Sequence, residues 1–297
     1  MPVKKYESSE GVFGKHEFLG QKCSDHYQDQ GWVLLKGFYD YRKDILPIHQ
    51  ELNELIRLKL KKLNLSPVDP TEQETIRQGD FLKICSANRD EGGDIYRATR
   101  HLLSLHRLLI RDENLKLAQF LMGTEYVNVI PYIPIRIDIQ GEEKYLFEWH
   151  QDYPYIQGSP DSVIFWAPLF NVEEGKGGVK LIPESHKQGV RKVRLLDPFN
   201  ENRNGAHTIK LEGSEKLDGE DAWYMTLEAG DALVFSTLLV HKSIPMDRGG
   251  VRWTTQIRYA NFSNEDAIQR GWPNGMIEGC GFEERHLEFV INQNTSK

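Results

Sequence analysis

The chain has 297 residues, of which 39% are hydrophobic and 27% are charged, a mixture typical of globular proteins rather than of disordered or fibrous ones. Its formal net charge of -7 argues against a nucleic-acid backbone as a partner, because such partners need a basic surface. Three widely spaced cysteines, Cys23, Cys85 and Cys280, form neither a disulfide framework nor a CxxC zinc pattern and indicate a reducing compartment.

The sequence contains no segment typical of membrane insertion. Residues 1–10 are polar, and no apolar run reaches the about 18 residues that a spanning helix needs. We therefore expect a soluble, cytoplasmic protein without a membrane partner. The sequence leaves the oligomeric state open.

The first part of the chain carries mainly helical signals. Residues 1–30 begin as an arm or a short helix, and residues 31–38 predict a short strand between glycines. Apolar residues then recur at helical spacing over 44–65 and, with one interruption, over 94–121. Both segments predict amphipathic helices that pack on another layer of the protein.

Strand signals replace helical ones from about residue 125. Short β-branched segments alternate with turn residues, a pattern that favours a sandwich or a barrel. The predicted strands are 127–140, 145–151, 162–170, 178–183, 206–211, 222–227, 232–238 and 251–261.

This pattern predicts a mainly β protein with added α-helices, in which a helical N-terminal region packs on a jelly-roll core. We expect residues 1–297 to form one integrated domain, because no Pro/Gly/Ser-rich linker divides them. Its parts would be a helical region over 1–125, a jelly-roll over 126–262 with an insert at 187–221, and a C-terminal extension over 263–297.

Three residues suggest a metal site. His150 and Asp152 stand two residues apart in a strand-prone segment, so that both side chains would point to one face of a strand. His241, on a later predicted strand, supplies a second imidazole. Two histidines and one carboxylate form the facial triad of non-haem Fe(II) oxygenases, which leaves three coordination positions open.

Arg252 follows His241 by eleven residues and lies on a new predicted strand. Alternation places it on the same face as Thr254, Gln256 and Arg258. A guanidinium inside a barrel is costly unless a carboxylate pairs with it, and its fork suits bidentate binding of such a group.

Five segments in order resemble the phytanoyl-CoA dioxygenase family of Fe(II)/2-oxoglutarate oxygenases, which also includes ectoine hydroxylase. These segments are Trp149-His150-Gln151-Asp152, Pro183-Glu184-Ser185-His186, Gly230-Asp231, His241-x-Ser243 and Arg252. The resemblance covers about 127–262. The chain departs from the family pattern at Glu184, where glycine is usual, and in the loop 245–247.

The resemblance implies a double-stranded β-helix of the jelly-roll, cupin-like type and assigns roles to the candidate residues. His150, Asp152 and His241 would bind Fe(II). Arg252 would bind the distal carboxylate of the co-substrate 2-oxoglutarate, with help from Ser243 and with Thr254 as a further hydroxyl.

The role of Asp138 stays open at this point. Relatives place a polar side chain near the C1 carboxylate of 2-oxoglutarate at this position, but one carboxylate facing another is unfavourable. The alternative is an ion pair with Arg136 or Arg258. Arg136 itself is either a substrate-binding or a structural residue.

The function that follows is an Fe(II)- and 2-oxoglutarate-dependent dioxygenase. It would use O2 to hydroxylate a small polar metabolite, a small-molecule substrate, and release succinate and CO2. One alternative is a different oxidative outcome with the same cofactors, such as desaturation or epimerisation. Another is a non-catalytic, cupin-like protein that binds a metal or a ligand.

Overall fold

A computed structural model describes residues 4–68, 75–130, 135–195, 209–219, 221–275 and 281–291. Among these residues, six helices precede the main run of strands. They are α1 Gln21–Gln30, α2 Leu46–Lys62, α3 Gln78–Ala87, α4 Arg89–Ala98, α5 Leu103–Leu109 and α6 Asp112–Met122. Three short helices lie later in the chain, namely α7 Tyr153–Ile156, α8 Glu265–Gln269 and α9 Phe282–Arg285.

The helical predictions are confirmed in outline. The predicted helix over 44–65 is α2, which follows one π-helical turn at Tyr41–Ile45. The second helical region is longer than the predicted 94–121. It begins with α3, and the first half of α4 also precedes residue 94. Asn88 explains where α4 begins, since its side chain accepts a hydrogen bond from the free N–H of Asp90.

The strands over the described residues are short except for the last. They are β1 Lys4–Lys5, β2 Val12–Gly14, β3 Trp32–Lys36, β4 Val127–Val129, β5 Ile135–Ile139, β6 Val163–Pro168, β7 Gly178–Leu181, β8 Val193–Leu195, β9 Ile209–Leu211, β10 Trp223–Tyr224, β11 Ala232–Ser236, β12 His241–Ile244 and β13 Val251–Asn261.

Two mainly antiparallel sheets pack face to face. The larger has the order β2-β3-β11-β6-β13, with both β4 and β5 paired to β13, and the smaller has the order β1-β10-β7-β12. Trp166 and Phe235 from the larger sheet share one buried apolar cluster with Val179 and Leu181 from the smaller. This arrangement confirms the predicted jelly-roll class with added helices.

The helices cover the outer face of the larger sheet. Trp253 and Ile257 of β13 are fully buried in one core with Ile48 and Leu52 of α2. Because side chains alternate along a strand, the even-numbered residues of β13 face the space between the two sheets. The division of the chain into one domain with boundaries near 125 and 262 stays a prediction.

The predicted strand over 145–151 is wrong. Glu143–Tyr145 forms a 3-10 turn, and His150 makes an isolated antiparallel bridge with His241. Asp152 already has helical backbone angles, φ -71 and ψ -28, because α7 begins at the next residue with Pro154 in its first turn. Strand alternation is therefore not what brings His150 and Asp152 together.

In the described part of the chain, no helix has both the length and the apolar character needed to cross a membrane. Cys23 and Cys85 are free thiols. Cys280 lies outside the described residues, as does part of the predicted strand 206–211.

Candidate active site

The three predicted metal ligands meet between the sheets. The Nε2 atoms of His150 and His241 lie 3.3 Å and 3.7 Å from the same Asp152 oxygen, Oδ1. All three ligand atoms lie within 4.8 Å of one another, and all three residues are buried. The backbone bridge between His150 and His241 fixes the two imidazoles side by side, with ring centroids 4.2 Å apart.

In both imidazoles, the ring nitrogen that faces away from Asp152 is held by a backbone carbonyl. Nδ1 of His150 lies 2.7 Å from the carbonyl oxygen of Glu148, and Nδ1 of His241 lies 2.8 Å from that of Leu239. A carbonyl can only accept, so Nδ1 carries the proton in each ring. In the neutral form of each ring, this leaves the Nε2 lone pair available to a metal, as in metal-binding histidines.

The surroundings of His241 and Asp152 keep both groups in the protonation states that metal binding requires. Loss of hydration lowers the pKa of His241 to about 3, with His150 adding to the effect and Asp152 opposing it. Burial by itself would raise the pKa of Asp152, but the Arg258 guanidinium holds it well below its usual range. Two nitrogen lone pairs and one carboxylate oxygen thus converge, and this donor set fits iron.

Arg258 binds the Asp152 oxygen that does not face the imidazoles. Its Nε and Nη2 lie 3.1 Å and 3.0 Å from Oδ2. Gln256 accepts from Nη2 through its side-chain oxygen at 2.7 Å, which fixes the guanidinium in turn.

Arg252 belongs to a second buried cluster of charge. Its Nη2 donates to Oδ2 of Asp138 at 2.8 Å, and its Nη1 donates to the carbonyl of Gly178 at 3.2 Å. Arg136 binds the same carboxylate, with Nε 2.9 Å from Oδ1. Between the two partners that the sequence suggested for Asp138, the structure selects Arg136, and it adds Arg252 in place of Arg258. The arginines hold the pKa of Asp138 below its usual value, although burial alone would raise it.

Gly177 leaves the space that Arg252 occupies. A Cβ atom built on this glycine would lie 2.3 Å from Nη1 of Arg252 and 2.9 Å from the carbonyl oxygen of Ile244. Its φ of +78° also disfavours any side chain. The turn before β7 is therefore shaped around the guanidinium.

The two predicted hydroxyl residues lie in different surroundings. Ser243 lines the same cavity as Arg252, and its oxygen accepts the Phe147 N–H at 3.3 Å. Its own O–H has no acceptor among the residues that the structure describes and can donate to a ligand. Thr254 is fully buried and is not among the described residues that line this cavity. Its role stays a prediction.

A cavity of about 420 Å³ contains both charged clusters. Most of its remaining wall is apolar or aromatic, and α3 and α4 of the N-terminal region contribute to it through Phe81, Arg89, Gly92, Gly93 and Tyr96. Of the described residues of the insert 187–221, none lines the cavity. The insert reaches the site indirectly, since the Tyr155 hydroxyl donates to the carbonyl of Ile209 at 2.8 Å.

A family model for phytanoyl-CoA dioxygenase (PhyH) matches residues 27–251, about three quarters of the chain. The chain belongs to the phytanoyl-CoA dioxygenase family. This confirms the resemblance found in the sequence.

Within and around this family, the similarities to individual proteins differ in extent. The 1-deoxypentalenic acid 11-beta-hydroxylase of Streptomyces arenae is 32% identical over 133 residues, 43% of this chain and 46% of that protein. The aligned segment therefore spans about half of that relative's length. Peroxisomal phytanoyl-CoA dioxygenase of Bos taurus is 22% identical over 242 residues, 79% of this chain and 66% of that protein. Among solved structures, the chain is similar to EctD from S. alaskensis, crystallised with 2-oxoglutarate and 5-hydroxyectoine. The sequence identity is 14% and the TM-score 0.52, and the match covers 88% of this chain and 81% of that one. At this identity, the likeness to EctD shows a shared fold.

The sequence did not lead us to predict two features of this site. The first is the pairing of Arg258 with Asp152, although strand alternation had already placed Arg258 on the same face as Arg252. The second is the wall from α3 and α4, for which adjacent glycines at 92 and 93 within a helix were the available signal.

Proposed function

We propose that the chain is an Fe(II)- and 2-oxoglutarate-dependent dioxygenase that hydroxylates a small-molecule substrate and releases succinate and CO2. The observation that carries the proposal is the convergence of His150, Asp152 and His241 in one cavity with the buried Arg252. A protein that only binds a metal has no need of a buried guanidinium beside the metal ligands, because such a charge is costly to desolvate.

The metal would be held by Nε2 of His150, Nε2 of His241 and Oδ1 of Asp152. When bound, iron supplies the redox chemistry that couples oxidative decarboxylation of 2-oxoglutarate by O2 to oxidation of a substrate C–H bond. Three protein ligands leave the remaining positions for the co-substrates.

The other buried residues would bind and orient 2-oxoglutarate. We infer that Arg252 binds its distal carboxylate, with the free O–H of Ser243 as a second donor. Asp138 would act on Arg252 by fixing its guanidinium at 2.8 Å, rather than by touching the co-substrate. The aromatic residues Phe147 and Tyr155 beside His150 would exclude water from the reacting atoms.

The first test is anaerobic addition of Fe(II) and 2-oxoglutarate to the protein, followed by admission of air. The proposal predicts a weak visible charge-transfer band before oxygen and succinate after it, with both lost in Asp152→Ala. A protein that binds neither iron nor 2-oxoglutarate would refute the site.

The alternatives differ in the product. Hydroxylation makes the substrate heavier by one oxygen atom, desaturation makes it lighter by two hydrogens, and epimerisation leaves the mass unchanged. A non-catalytic cupin-like protein would bind iron and 2-oxoglutarate without forming succinate under any condition. Mass spectrometry of the product together with the succinate assay separates all four cases.

We also propose a cytoplasmic location, on the ground that Cys23 and Cys85 are unpaired. That nucleic acids and membranes are not partners stays a prediction from the net charge and hydropathy of the sequence.

A further inference from the structure

We propose that the substrate is a monocarboxylic acid with an apolar body, and that Arg136 binds its carboxylate. This inference rests on the dioxygenase function proposed above. It concerns the part of the cavity that the metal and the co-substrate leave free.

The charges that line the cavity do not balance. Among the described residues of the wall, three guanidinium groups face two carboxylates. The guanidinium groups of Arg252 and Arg258 are buried and that of Arg136 is partly exposed, with 15% of its side chain accessible, and the carboxylates belong to Asp138 and Asp152. At the rim, Arg89 is already neutralised by Glu142, to which its Nε donates at 2.8 Å and its Nη2 at 2.7 Å. With both histidines bound to a metal, and therefore neutral, the wall carries one excess positive charge.

Loading the cavity does not remove this excess. A divalent iron adds two positive charges, and the dianion of 2-oxoglutarate adds two negative ones. One unit of positive charge remains in a largely apolar cavity, where an uncompensated charge is unfavourable. A substrate with one negative charge restores neutrality, whereas a neutral or cationic one does not.

Arg136 is the arginine that the proposed machinery leaves available. Arg252 is assigned to the distal carboxylate of 2-oxoglutarate, and Arg258 is occupied by Asp152 and Gln256. The guanidinium of Arg136 uses Nε on Asp138 and Nη2 on Asp138 and on the carbonyl of Tyr145. Its Nη1 has no acceptor among the described residues and can donate to a ligand.

The position of Arg136 suits substrate binding next to the metal ligands. Its guanidinium lies 5.1 Å from the centroid of the Phe147 ring, and that ring lies 4.9 Å from the imidazole of His150. A carboxylate held by Nη1 would therefore anchor a molecule whose body lies near the metal site. Stacking on Phe147 also fixes the orientation of the donor.

The rest of the wall fits an apolar body. The residues of this wall beyond the charged clusters are mostly aromatic or aliphatic: Phe81, Ile137, Ile139, Phe147, Tyr155 and Ile156. On α4, Gly93 adds no side chain, and a Cβ there would meet only the Nη1 atom of Arg97, at 3.4 Å. These surfaces bind hydrocarbon and offer few polar partners to a hydroxylated or highly charged body.

The test compares matched pairs of ligands on the intact protein loaded anaerobically with Fe(II) and 2-oxoglutarate. The probes are cyclohexanecarboxylate, 1-adamantanecarboxylate and decanoate, each with its methyl ester, and the shift of the visible band reports binding. We expect at least one acid to bind about tenfold or more tightly than its ester, as the loss of a charge-assisted hydrogen bond predicts. Equal binding of acids and esters, or binding of no acid at millimolar concentration, would overturn the proposal.

Variants of Arg136 separate substrate recognition from a general structural effect. In Arg136→Gln, the preference for the acid over its ester should disappear, and Arg136→Lys should restore part of it. Arg57→Gln, an exposed arginine on α2, is the matched control and should keep the full preference. A preference that survives in Arg136→Gln would show that another group binds the carboxylate. Absence of the band in the wild-type protein before any probe is added would instead refute the proposed function.

Discussion

Arg258 binds one carboxylate oxygen of Asp152 and leaves the other oxygen facing the two candidate metal-binding imidazoles. The guanidinium takes Oδ2, at 3.1 Å from Nε and 3.0 Å from Nη2, while Oδ1 faces the two imidazoles at 3.3 Å and 3.7 Å. Because one oxygen is already occupied, Asp152 is disposed to offer a metal a single ligand atom. A carboxylate that binds through one oxygen leaves more positions for the co-substrates.

Replacement of Arg258 by Gln should make metal binding sensitive to acid. In the wild-type protein, Arg258 opposes the effect of burial and keeps the pKa of Asp152 low. Without the guanidinium this pKa rises, so protons should compete with the metal as the pH falls from neutral to mildly acidic values. Anaerobic titration with Fe(II) or Co(II) across this range measures the effect.

Arg258→Lys keeps the charge and serves as the matched variant. It should retain most of the wild-type affinity at mildly acidic pH. If metal affinity in Arg258→Gln follows the same pH dependence as in the wild-type protein, Arg258 does not control the protonation of Asp152.

Replacement of Arg252 by Leu should weaken binding of 2-oxoglutarate by about 2–5 kcal/mol, the range found when one partner of a buried charge pair is removed. Arg252→Lys should have an intermediate effect, because it keeps the charge but loses the fork. Anaerobic titration followed through the visible band gives both affinities. An unchanged affinity for 2-oxoglutarate in Arg252→Leu would place the carboxylate clamp elsewhere in the cavity. The same titration on Thr254→Val tests whether the hydroxyl of Thr254 contributes to binding.

Two glycines before β7 allow a strain-matched comparison. Gly177→Ala and Gly175→Ala both place a side chain at positive φ, +78° and +79°, and this backbone strain should cost each about 1 kcal/mol of stability. Gly177→Ala should lose more, because its Cβ would also lie 2.9 Å from the carbonyl oxygen of Ile244. The new Cβ at 177 lies 2.3 Å from Nη1 of Arg252, whereas the one at 175 meets the exposed Arg248 side chain at 3.3 Å. Only Gly177→Ala should raise the dissociation constant for 2-oxoglutarate. Equal constants in the two variants would contradict the role assigned to Arg252.

His286 should make the folded protein less stable in mild acid. Its ring is fully buried against Phe282 and Tyr153, and neither ring nitrogen has a partner among the described residues. Burial, helped by Arg270, lowers its pKa from 6.5 to about 4. As the pH falls below 6.5, the unfolded chain takes up a proton that the folded protein refuses, and stability falls by about 2 kcal/mol at about pH 5.

Urea unfolding at neutral pH and at about pH 5 measures this loss in the wild-type protein and in His286→Leu. The variant removes the titrating group, so its stability should change less between the two conditions. The comparison uses the pH dependence and not the absolute stability, because the substitution also alters packing. The same pH dependence in both proteins would exclude His286 as the cause.

The sequence was sufficient to predict the fold class and to name the three residues that the structure brings together as candidate metal ligands. Side-chain chemistry is local, so two imidazoles, a carboxylate and an arginine eleven residues later already indicated a metal site with a carboxylate clamp. Strand alternation placed four residues of β13 on one face, and three of them, Arg252, Gln256 and Arg258, line the cavity. The same reasoning was wrong for 145–151, because a bridge to His241 and the start of α7 decide the backbone there.

The pairing of charges was decided by the tertiary structure. Arg252 and Asp138 are 114 residues apart, and Arg258 and Asp152 are 106 apart, so no local pattern could choose between the possible partners of each carboxylate. The wall formed by α3 and α4 depends on how the N-terminal helices pack on the larger sheet. Local propensity and periodicity therefore determined which residues could act and on which face they lie. Which of them meet was determined by long-range packing, because buried charges are stable only beside the specific partners that the fold supplies.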